Sequence, residues 1–290
     1  MILVTTPTGD IGERVARALV DAGIPVRVLA RDPARLAEDV RDRVEVVQGS
    51  HSDASVIGPA LDGVDAVFWL PPGSPGSPGP EAAYVAFSRA FCDALPSSAV
   101  ARAVGVSALG RGWPRPAGHV TASVAMDDMI AATGVAYRAL ACASLMDNLL
   151  RQAGSIREQG VFYGPMPGDL ALPQVAKSDV ADEAVRLLTA SDWTDAADVP
   201  MRGPEDLTGD QMAGIVSDVL SKPVAYQAIP MDAFADTLRA VGTSDGMVRA
   251  YVQMMTAKNE GMDDGPPGEA RGGTTFRQWC EAELRPALAA

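Results

Sequence analysis

The first thirty-one residues constrain the fold most strongly. A short apolar run at residues 2–5 predicts a strand, a turn follows at residues 6–12, and residues 14–22 carry apolar side chains at helical spacing. A second apolar run at residues 26–30 predicts another strand. This strand–turn–helix–strand unit has the length of a nucleotide-binding βαβ unit. Its turn would leave backbone N–H groups at a helix N-terminus, where a diphosphate fits.

The turn keeps part of a G-x-x-G-x-x-G pattern. Gly9 and Gly12 hold its last two positions, and Thr6 stands at the first. Gly9 would let the backbone approach a phosphate, and Gly12 would let the helix pack against the strand. Because Thr6 is β-branched and disfavours unusual φ values, we expect a rerouted loop or a cofactor held differently. A purely structural turn is the alternative, but the position of the turn in a long α/β array favours a ligand.

Arg31 ends the second predicted strand. An acidic residue at this position binds a ribose 2′-OH, whereas a cation suits a 2′-phosphate. Asp32 follows immediately, and Arg35 could add a second cation. Arg31 could also be only a solvated strand end. The sequence favours NADP(H) over NAD(H) as the cofactor.

Strands and helices continue to alternate after this unit. Apolar runs predict strands at residues 44–47, 65–70, 101–106 and 135–140, with helices between them. This alternation predicts a parallel sheet that is covered on both faces. Ligands of such sheets lie outside the carboxyl ends of the strands. The loops that we expect to converge on one crevice begin near Thr6, Arg31, Gly49, Pro71 and Ser107.

The second half of the chain is less regular. Residues 71–80, rich in Pro, Gly and Ser, are either a mobile lid or a disordered connector. Residues 144–157 predict a helix, and residues 260–273 predict an acidic, Gly-rich loop. We expect a dinucleotide-binding domain at residues 1–155, to which later segments return, and a mainly C-terminal substrate lobe at residues 156–290.

Composition narrows the classes of function. A net charge of −13 argues against a nucleic-acid surface, and the absence of an 18-residue apolar run argues against a membrane span. The first strand begins at residue 2, which leaves no room for a signal peptide, and three widely spaced cysteines fit reduced thiols. We therefore expect a cytoplasmic protein. Two histidines exclude a His-rich metal site, and a carboxylate site is merely unsupported, so we expect no metal. We expect a small-molecule substrate and consider a homodimer.

Several segments together resemble the NmrA-like group of atypical short-chain dehydrogenases/reductases. These are residues 2–5, 8–12, 28–33, 44–49, 60–68, 106–108, 133–137, 146–148, 203–208 and 219–226. The resemblance implies an α/β fold, a Rossmann doubly wound parallel sheet with a small C-terminal α+β substrate lobe. The group includes NADPH-dependent quinone and azo reductases, and also dinucleotide-binding regulators without turnover.

A set of candidate cofactor-binding residues follows from the turn, the strand ends and this resemblance together. They are Thr6, Thr8, Gly9, Asp10, Ile11, Gly12, Arg31, Ser50, Leu70, Pro71 and Ser107. The candidate substrate-binding residues are Trp113, Met146 and Asn148. The chain departs from the group where Ser50 replaces an Asp near the adenine. It also lacks the Tyr-x-x-x-Lys pair, because residues 119–132 contain neither Tyr nor Lys.

Hydride transfer from a nicotinamide cofactor stays possible despite these departures, because it needs few protein groups. A nicotinamide supplies hydride without a protein nucleophile. Ser107 could hydrogen-bond the acceptor's carbonyl oxygen. Ser123 and Asp127 are four residues apart and share a helix face, and a buried carboxylate there could act as acid or base. The candidate catalytic residues are Ser107, His119, Ser123 and Asp127. The alternatives are a plain strand end for Ser107, a solvated helix start for His119 and a solvated helix face for Asp127.

The sequence therefore favours an NADPH-dependent reductase of a small conjugated carbonyl, a quinone-like compound or a related aromatic substrate. One alternative is an NAD(P)-binding, redox-sensing regulator without turnover. Another is a non-redox cyclase or dehydratase on the same fold. The missing Tyr and Lys favour the two alternatives. Gly9, Gly12 and Arg31 favour the reductase and the regulator.

Overall fold

The computed structural model describes residues 1–265 and 273–289, so part of the loop predicted at residues 260–273 lies outside the described residues. The strands are β1 (Ile2–Thr5), β2 (Val26–Ala30), β3 (Glu45–Gln48), β4 (Ala66–Trp69), β5 (Arg102–Ala108), β6 (Ala136–Cys142), β7 (Ser144–Leu145), β8 (Val161–Gly164), β9 (Leu172–Val175), β10 (Ala196–Met201), β11 (Asp206–Leu207) and β12 (Ala225–Ala228). The α-helices are α1 (Asp10–Asp21), α2 (Glu38–Arg41), α3 (Ala54–Ala60), α4 (Phe87–Ala94), α5 (His119–Ala131), α6 (Ala153–Gln159), α7 (Lys177–Thr189), α8 (Gly209–Leu220), α9 (Met231–Ala240), α10 (Asp245–Asn259), α11 (Phe276–Trp279) and α12 (Arg285–Ala289).

The central sheet has seven strands in the order β10-β6-β5-β4-β1-β2-β3, and all its pairs are parallel. The chain runs from β1 outward to β3 and then crosses back to β4 on the other side of β1. This is the parallel sheet that the alternation predicted, in the doubly wound Rossmann arrangement that the resemblance implied, so the predicted fold class is confirmed. The order of strands reverses between β1 and β4, and ligands of such sheets bind at the carboxyl ends of the strands at this point.

Apolar packing covers both faces of the sheet. Neighbouring residues of β1 alternate between the two layers: Val4 packs with the layer that contains α1 and α7, whereas Leu3 packs with the layer that contains α3, α4 and α5. Both side chains are fully buried. Strands buried on both faces need continuous apolar runs, which explains why these strands were visible in the sequence.

Two predictions about the second half were wrong. The chain forms a seventh strand, β10, which the sequence did not predict because Asp198 and Pro200 interrupt its apolar pattern. An edge strand tolerates a proline, and β10 pairs only with β6 within the described residues. The helix predicted at residues 144–157 is in fact β7, a 3₁₀ segment at Met146–Gln152 and α6.

The last part of the chain builds a separate apolar cluster that includes Ile156, Phe162, Phe276 and Trp279. Two small sheets, β11-β9-β7 and β12-β8, accompany it. The division of the chain at residue 155 stays a prediction. Among the described residues, none of the helices has both the length and the apolar character needed to cross a bilayer.

Candidate cofactor and active site

Thr6, in the turn after β1, adopts a backbone conformation that β-branched residues disfavour. Thr6 has a φ of 52°, in the left-handed region, although it is neither Gly nor Asn. Its hydroxyl donates a hydrogen bond to the carbonyl oxygen of Leu70, at the end of β4. Thr5 Oγ1 accepts from the Leu70 N–H at 2.9 Å. Thr6 thus adopts a φ that we expected it to avoid, because these hydrogen bonds tie the turn to β4 and offset the strain of the left-handed residue. The other alternative, a cofactor held differently, stays a prediction.

The helix that follows begins directly under this turn. The Gly9 N–H donates to the Thr6 carbonyl oxygen at 3.1 Å. A Cβ atom at Gly12 would lie 2.2 Å from the same oxygen, so only glycine fits there. Gly9 is the N-cap of α1 and offers no side-chain acceptor to the N–H groups of the first turn. These groups can therefore bind an anion, and the residues present fit a dinucleotide diphosphate.

The other predicted residues of this turn have different environments. Ile11 is buried in the core, and Thr8 is half-buried. The Asp10 side chain is exposed and forms an ion pair with Lys177. The hydrogen bond from Lys177 lowers the pKa of the Asp10 carboxyl. The Asp10 backbone N–H thus lies at the start of α1, while its carboxylate is already paired.

Arg31 lies exposed at the end of β2. Asp32 Oδ1 accepts a hydrogen bond from the Ala34 N–H at 3.2 Å and so caps the 3₁₀ turn Pro33–Arg35. The carboxylate that made the sequence ambiguous is therefore engaged with the backbone. Within residues 1–265 and 273–289, Arg31 forms no ion pair, so its guanidinium is available to a ligand phosphate.

The loop after β3 contributes a residue that the sequence reasoning missed. His51 is 5% exposed, and its Nε2 donates to the carbonyl oxygen of Leu70 at 3.2 Å. Its ring packs edge-on against Trp69 and Phe87. Burial lowers the pKa of His51 to about 4, so the ring is neutral at pH 7. Ser50, the predicted cofactor contact beside it, hydrogen-bonds Ser52 at 2.8 Å.

Leu70 and Pro71 lie where the order of strands reverses. The backbone N–H and carbonyl of Leu70 are both used by the contacts with Thr5, Thr6 and His51. Pro71 is buried. These two residues therefore form a fixed wall at the carboxyl end of β4, beside the turn that begins α1.

Three of the four candidate catalytic residues lie together. Ser107, near the end of β5, donates a short hydrogen bond to Asp127 Oδ2 and lies 3.0 Å from Ser123 Oγ. Ser123 and Asp127 both face β5 from α5, as their spacing predicted. The sequence reasoning missed Tyr137, whose hydroxyl donates to Asp127 Oδ1 at 2.7 Å. Tyr137 can reach across β5 because residue 105 is glycine, where a Cβ would lie 2.0 Å from the Tyr137 hydroxyl.

The Asp127 carboxyl is buried, with only 2% of the residue exposed. Burial raises the pKa of Asp127 to about 6, although the hydrogen bonds from Ser107 and Tyr137 act in the opposite direction. The solvated alternative is therefore wrong for Asp127. It holds for the neighbouring Asp128, whose exposed carboxylate pairs with Arg111 at 2.6 Å.

His119 begins α5 and is 6% exposed, so the expectation of a solvated helix start is wrong. Its ring centroid lies 4.1 Å from that of Tyr251 on α10 and 6.0 Å from that of Tyr84. Burial lowers the pKa of His119 to about 4. Its Nε2 has no hydrogen-bond partner among the described residues. The His119 side chain is therefore uncharged at pH 7 and packs against α10.

Helix α10 covers this end of the sheet. A side chain at Gly118 would overlap the Ala250 carbonyl oxygen, so the start of α5 lies against α10. Ser244, the N-cap of α10, donates from its backbone N–H to the Pro75 carbonyl oxygen at 2.9 Å and from its hydroxyl to Ser77. The Pro- and Gly-rich segment at residues 71–80 is thus hydrogen-bonded to α10.

The candidate substrate residues do not share one environment. Trp113 is half-buried, with the Arg115 guanidinium 5.1 Å from its ring. Met146 is buried in the C-terminal apolar cluster, and Asn148 is exposed. Their roles as substrate contacts stay a prediction. No group of three His, Cys, Asp or Glu side chains within the described residues could hold a metal ion.

Residues 7–191 match the model of a family described as NAD(P)H-binding. The chain belongs to this family. The match spans Gly9, Gly12, Arg31 and the cluster around Asp127, and NAD(P)H is the cofactor class of this family. A fold does not by itself determine the chemistry, so the roles of the side chains at the carboxyl ends of the strands must be argued from the geometry.

Three relatives show the range of the similarity. An NAD(P)H azoreductase of Xenophilus azovorans is 27% identical over 97% of both chains. A (4-alkanoyl-5-oxo-2,5-dihydrofuran-3-yl)methyl phosphate reductase of Streptomyces griseus is 35% identical over 83% of this chain and 81% of its own length. The structure of an NADPH-dependent quinone oxidoreductase of Escherichia coli complexed with NADPH superposes with a TM-score of 0.76 at 23% identity, covering 96% of this chain and 98% of that chain.

Proposed function

We propose that the protein is an NADPH-dependent reductase of a small conjugated carbonyl or quinone-like compound, and that it belongs to the NmrA-like group within its family. The observation that carries the proposal is the buried Ser107–Asp127 hydrogen bond at the carboxyl end of β5, on a fold that binds NAD(P)H. Relatives named for the reduction of azo compounds, quinones and an unsaturated lactone phosphate support the substrate class.

The amino-terminal half would bind and orient the cofactor. The first-turn N–H groups of α1 bind the diphosphate, and Arg31 binds the 2′-phosphate. The fixed Leu70–Pro71 wall limits where the cofactor can lie. A bound nicotinamide supplies the hydride.

Ser107 and Asp127 would replace the missing Tyr-x-x-x-Lys pair as the proton source. Because the Asp127 pKa is about 6, a large fraction of the carboxyl is protonated in mildly acidic solution. Protonated Asp127 donates to Ser107 Oγ, which leaves the Ser107 hydrogen free for the substrate oxygen. When that oxygen gains negative charge, it takes the Ser107 proton, and Ser107 takes the proton of Asp127. The Tyr137 hydroxyl then stabilises the carboxylate that remains.

An NAD(P)H-binding regulator without turnover is the second candidate. One observation favours it: α10 covers the start of α5, and Tyr251 packs on His119. Ser107 is itself only 8% exposed, and a protein that transfers no hydride needs no access for an acceptor. The regulator shares the cofactor site but needs no proton source.

Two measurements separate these candidates. NADPH is first titrated into the purified protein, and the affinity is read from fluorescence. Gly12→Ala is the control, since its Cβ would overlap the Thr6 carbonyl and prevent a native turn. NADPH oxidation is then followed with a panel of quinones, azo dyes and unsaturated lactones. Binding with turnover supports the reductase, binding without turnover on any acceptor supports the regulator, and no binding contradicts both.

A further inference from the structure

Lys177 is a charged residue near the cofactor turn with no role in the reaction proposed above. It begins α7, and its side chain is 18% exposed. Its ammonium pairs with the Asp10 carboxylate and lies 3.9 Å from Asp147 Oδ1. It therefore joins α1 and α7, which pack side by side, to the 3₁₀ segment at Met146–Gln152.

The position of Asp10 places this ammonium beside the turn. Asp10 is the first residue of α1 and directly follows the N-cap Gly9. Its carboxylate would repel a bound diphosphate if it were unpaired, because both are anions. Lys177 removes this repulsion, and the pairing holds the pKa of Asp10 below its usual value. A positive charge is thus held at the end of α1 that the family uses for a diphosphate.

We infer that Lys177 is a cofactor-binding residue whose ammonium stays paired with Asp10 and also donates to the diphosphate of the bound dinucleotide. The inference rests on the proposed function. The ammonium has three N–H donors on a flexible stem, so it can hold the Asp10 carboxylate and a phosphate oxygen together without moving the backbone. The backbone is fixed, because the Lys177 N–H donates to Asp147 Oδ2 at 3.3 Å.

A purely structural ion pair is the competing explanation. Such a pair would link α1 to α7 and contribute little, since the Asp10 side chain is 69% exposed and exposed pairs are weak. Removing Lys177 would then change stability slightly and leave cofactor affinity unchanged. Cofactor binding is therefore the readout that separates the two explanations.

The test compares the affinities of NADPH and NADH for the wild type, Lys177→Gln and Lys177→Arg by fluorescence titration at low and high salt. Arg186→Gln is the matched control, because it removes the same charge from the exposed side of the same helix, where Arg186 pairs with Glu183. Lys177→Arg keeps the charge and tests whether charge alone suffices. Thermal melting of each variant shows whether it is folded.

We expect Lys177→Gln to lower the affinity for both nucleotides about tenfold, because it removes one hydrogen bond to a charged group. Lys177→Arg should restore most of this affinity, and Arg186→Gln should leave it unchanged. The loss should shrink in high salt, because salt screens the ion pair.

Unchanged affinity in a folded Lys177→Gln variant would overturn the inference while leaving the proposed function intact. A loss confined to NADPH would also overturn it, since that would place Lys177 at the 2′-phosphate. A wild type that binds neither nucleotide would overturn the proposed function together with the inference.

Discussion

Thr6 and His51 hydrogen-bond the same acceptor, the carbonyl oxygen of Leu70. One residue belongs to the turn after β1 and the other to the loop after β3, whereas the acceptor ends β4. Three loops are therefore joined at the place where the order of strands reverses. This junction explains how a threonine can stand where dinucleotide-binding turns usually carry glycine.

The junction predicts an order of stability among variants of Thr6. Thr6→Val keeps the shape and the left-handed strain but loses the hydroxyl, so we expect the free energy of unfolding to fall by about 1–2 kcal/mol. Thr6→Gly loses the same hydrogen bond but relieves the strain at φ 52°, and should be less destabilised. Urea denaturation measures both. A Thr6→Gly variant less stable than Thr6→Val would contradict the strain assigned to Thr6, and a Thr6→Val variant as stable as the wild type would refute the role assigned to the hydroxyl.

Arg31 should decide between the two nicotinamide dinucleotides. Arg31→Ala removes the cation proposed for the 2′-phosphate, so we expect the NADPH affinity to fall about tenfold or more while the NADH affinity changes little. Arg31→Lys keeps the charge and serves as the control. Fluorescence titration with both nucleotides gives the ratio. An equal loss for both would remove Arg31 from the 2′-phosphate site.

Ser107→Ala tests the proton source. We expect turnover to fall about a hundredfold, the usual cost of one donor to a developing oxyanion, with cofactor affinity unchanged. Ser123→Ala is the matched control, because Ser123 hydrogen-bonds Ser107 but is not proposed to touch the substrate. Steady-state rates of NADPH oxidation measure both variants. Equal rates for Ser107→Ala and the wild type would take Ser107 out of the mechanism.

Asp127 makes a prediction about pH and stability. Burial raises the pKa of Asp127 from 3.8 to about 6 in the folded protein. Its contribution to the free energy of unfolding is therefore fully present below pH 3.8 and is lost as the pH rises through about 6. The shift corresponds to about 3 kcal/mol. Asp127→Asn does not titrate and should gain up to that amount over the wild type between pH 4 and pH 7. His51 and His119 titrate in the same window, but both proteins contain them. Denaturation curves with parallel pH dependence would contradict the assigned burial effect.

The sequence predicted what depends on local pattern. Apolar runs gave most strands of the sheet, and the spacing of Ser123 and Asp127 placed both on one helix face. The side-chain contacts that complete the site join residues far apart in the chain, such as Lys177 and Asp10, and periodicity carries no information about them. His51 and Tyr137 were missed for the same reason. β10 was not predicted because Asp198 and Pro200, which an edge strand tolerates, interrupt its apolar run.

Transfer of hydride from NADPH to an acceptor distinguishes a reductase from a dinucleotide-binding protein without turnover. NADPH deuterated at the transferable position is incubated with the wild type and the unsaturated lactone that oxidises it fastest, because this acceptor takes up hydride at carbon, and the product is analysed by mass spectrometry. We expect one deuterium on a carbon atom of the product, much less of this product in the same time with Ser107→Ala, and none with Gly12→Ala. Tight NADPH binding with no deuterium in any unsaturated lactone, and with no NADPH oxidation by any quinone or azo dye, would contradict a reductase and leave a dinucleotide-binding protein without turnover.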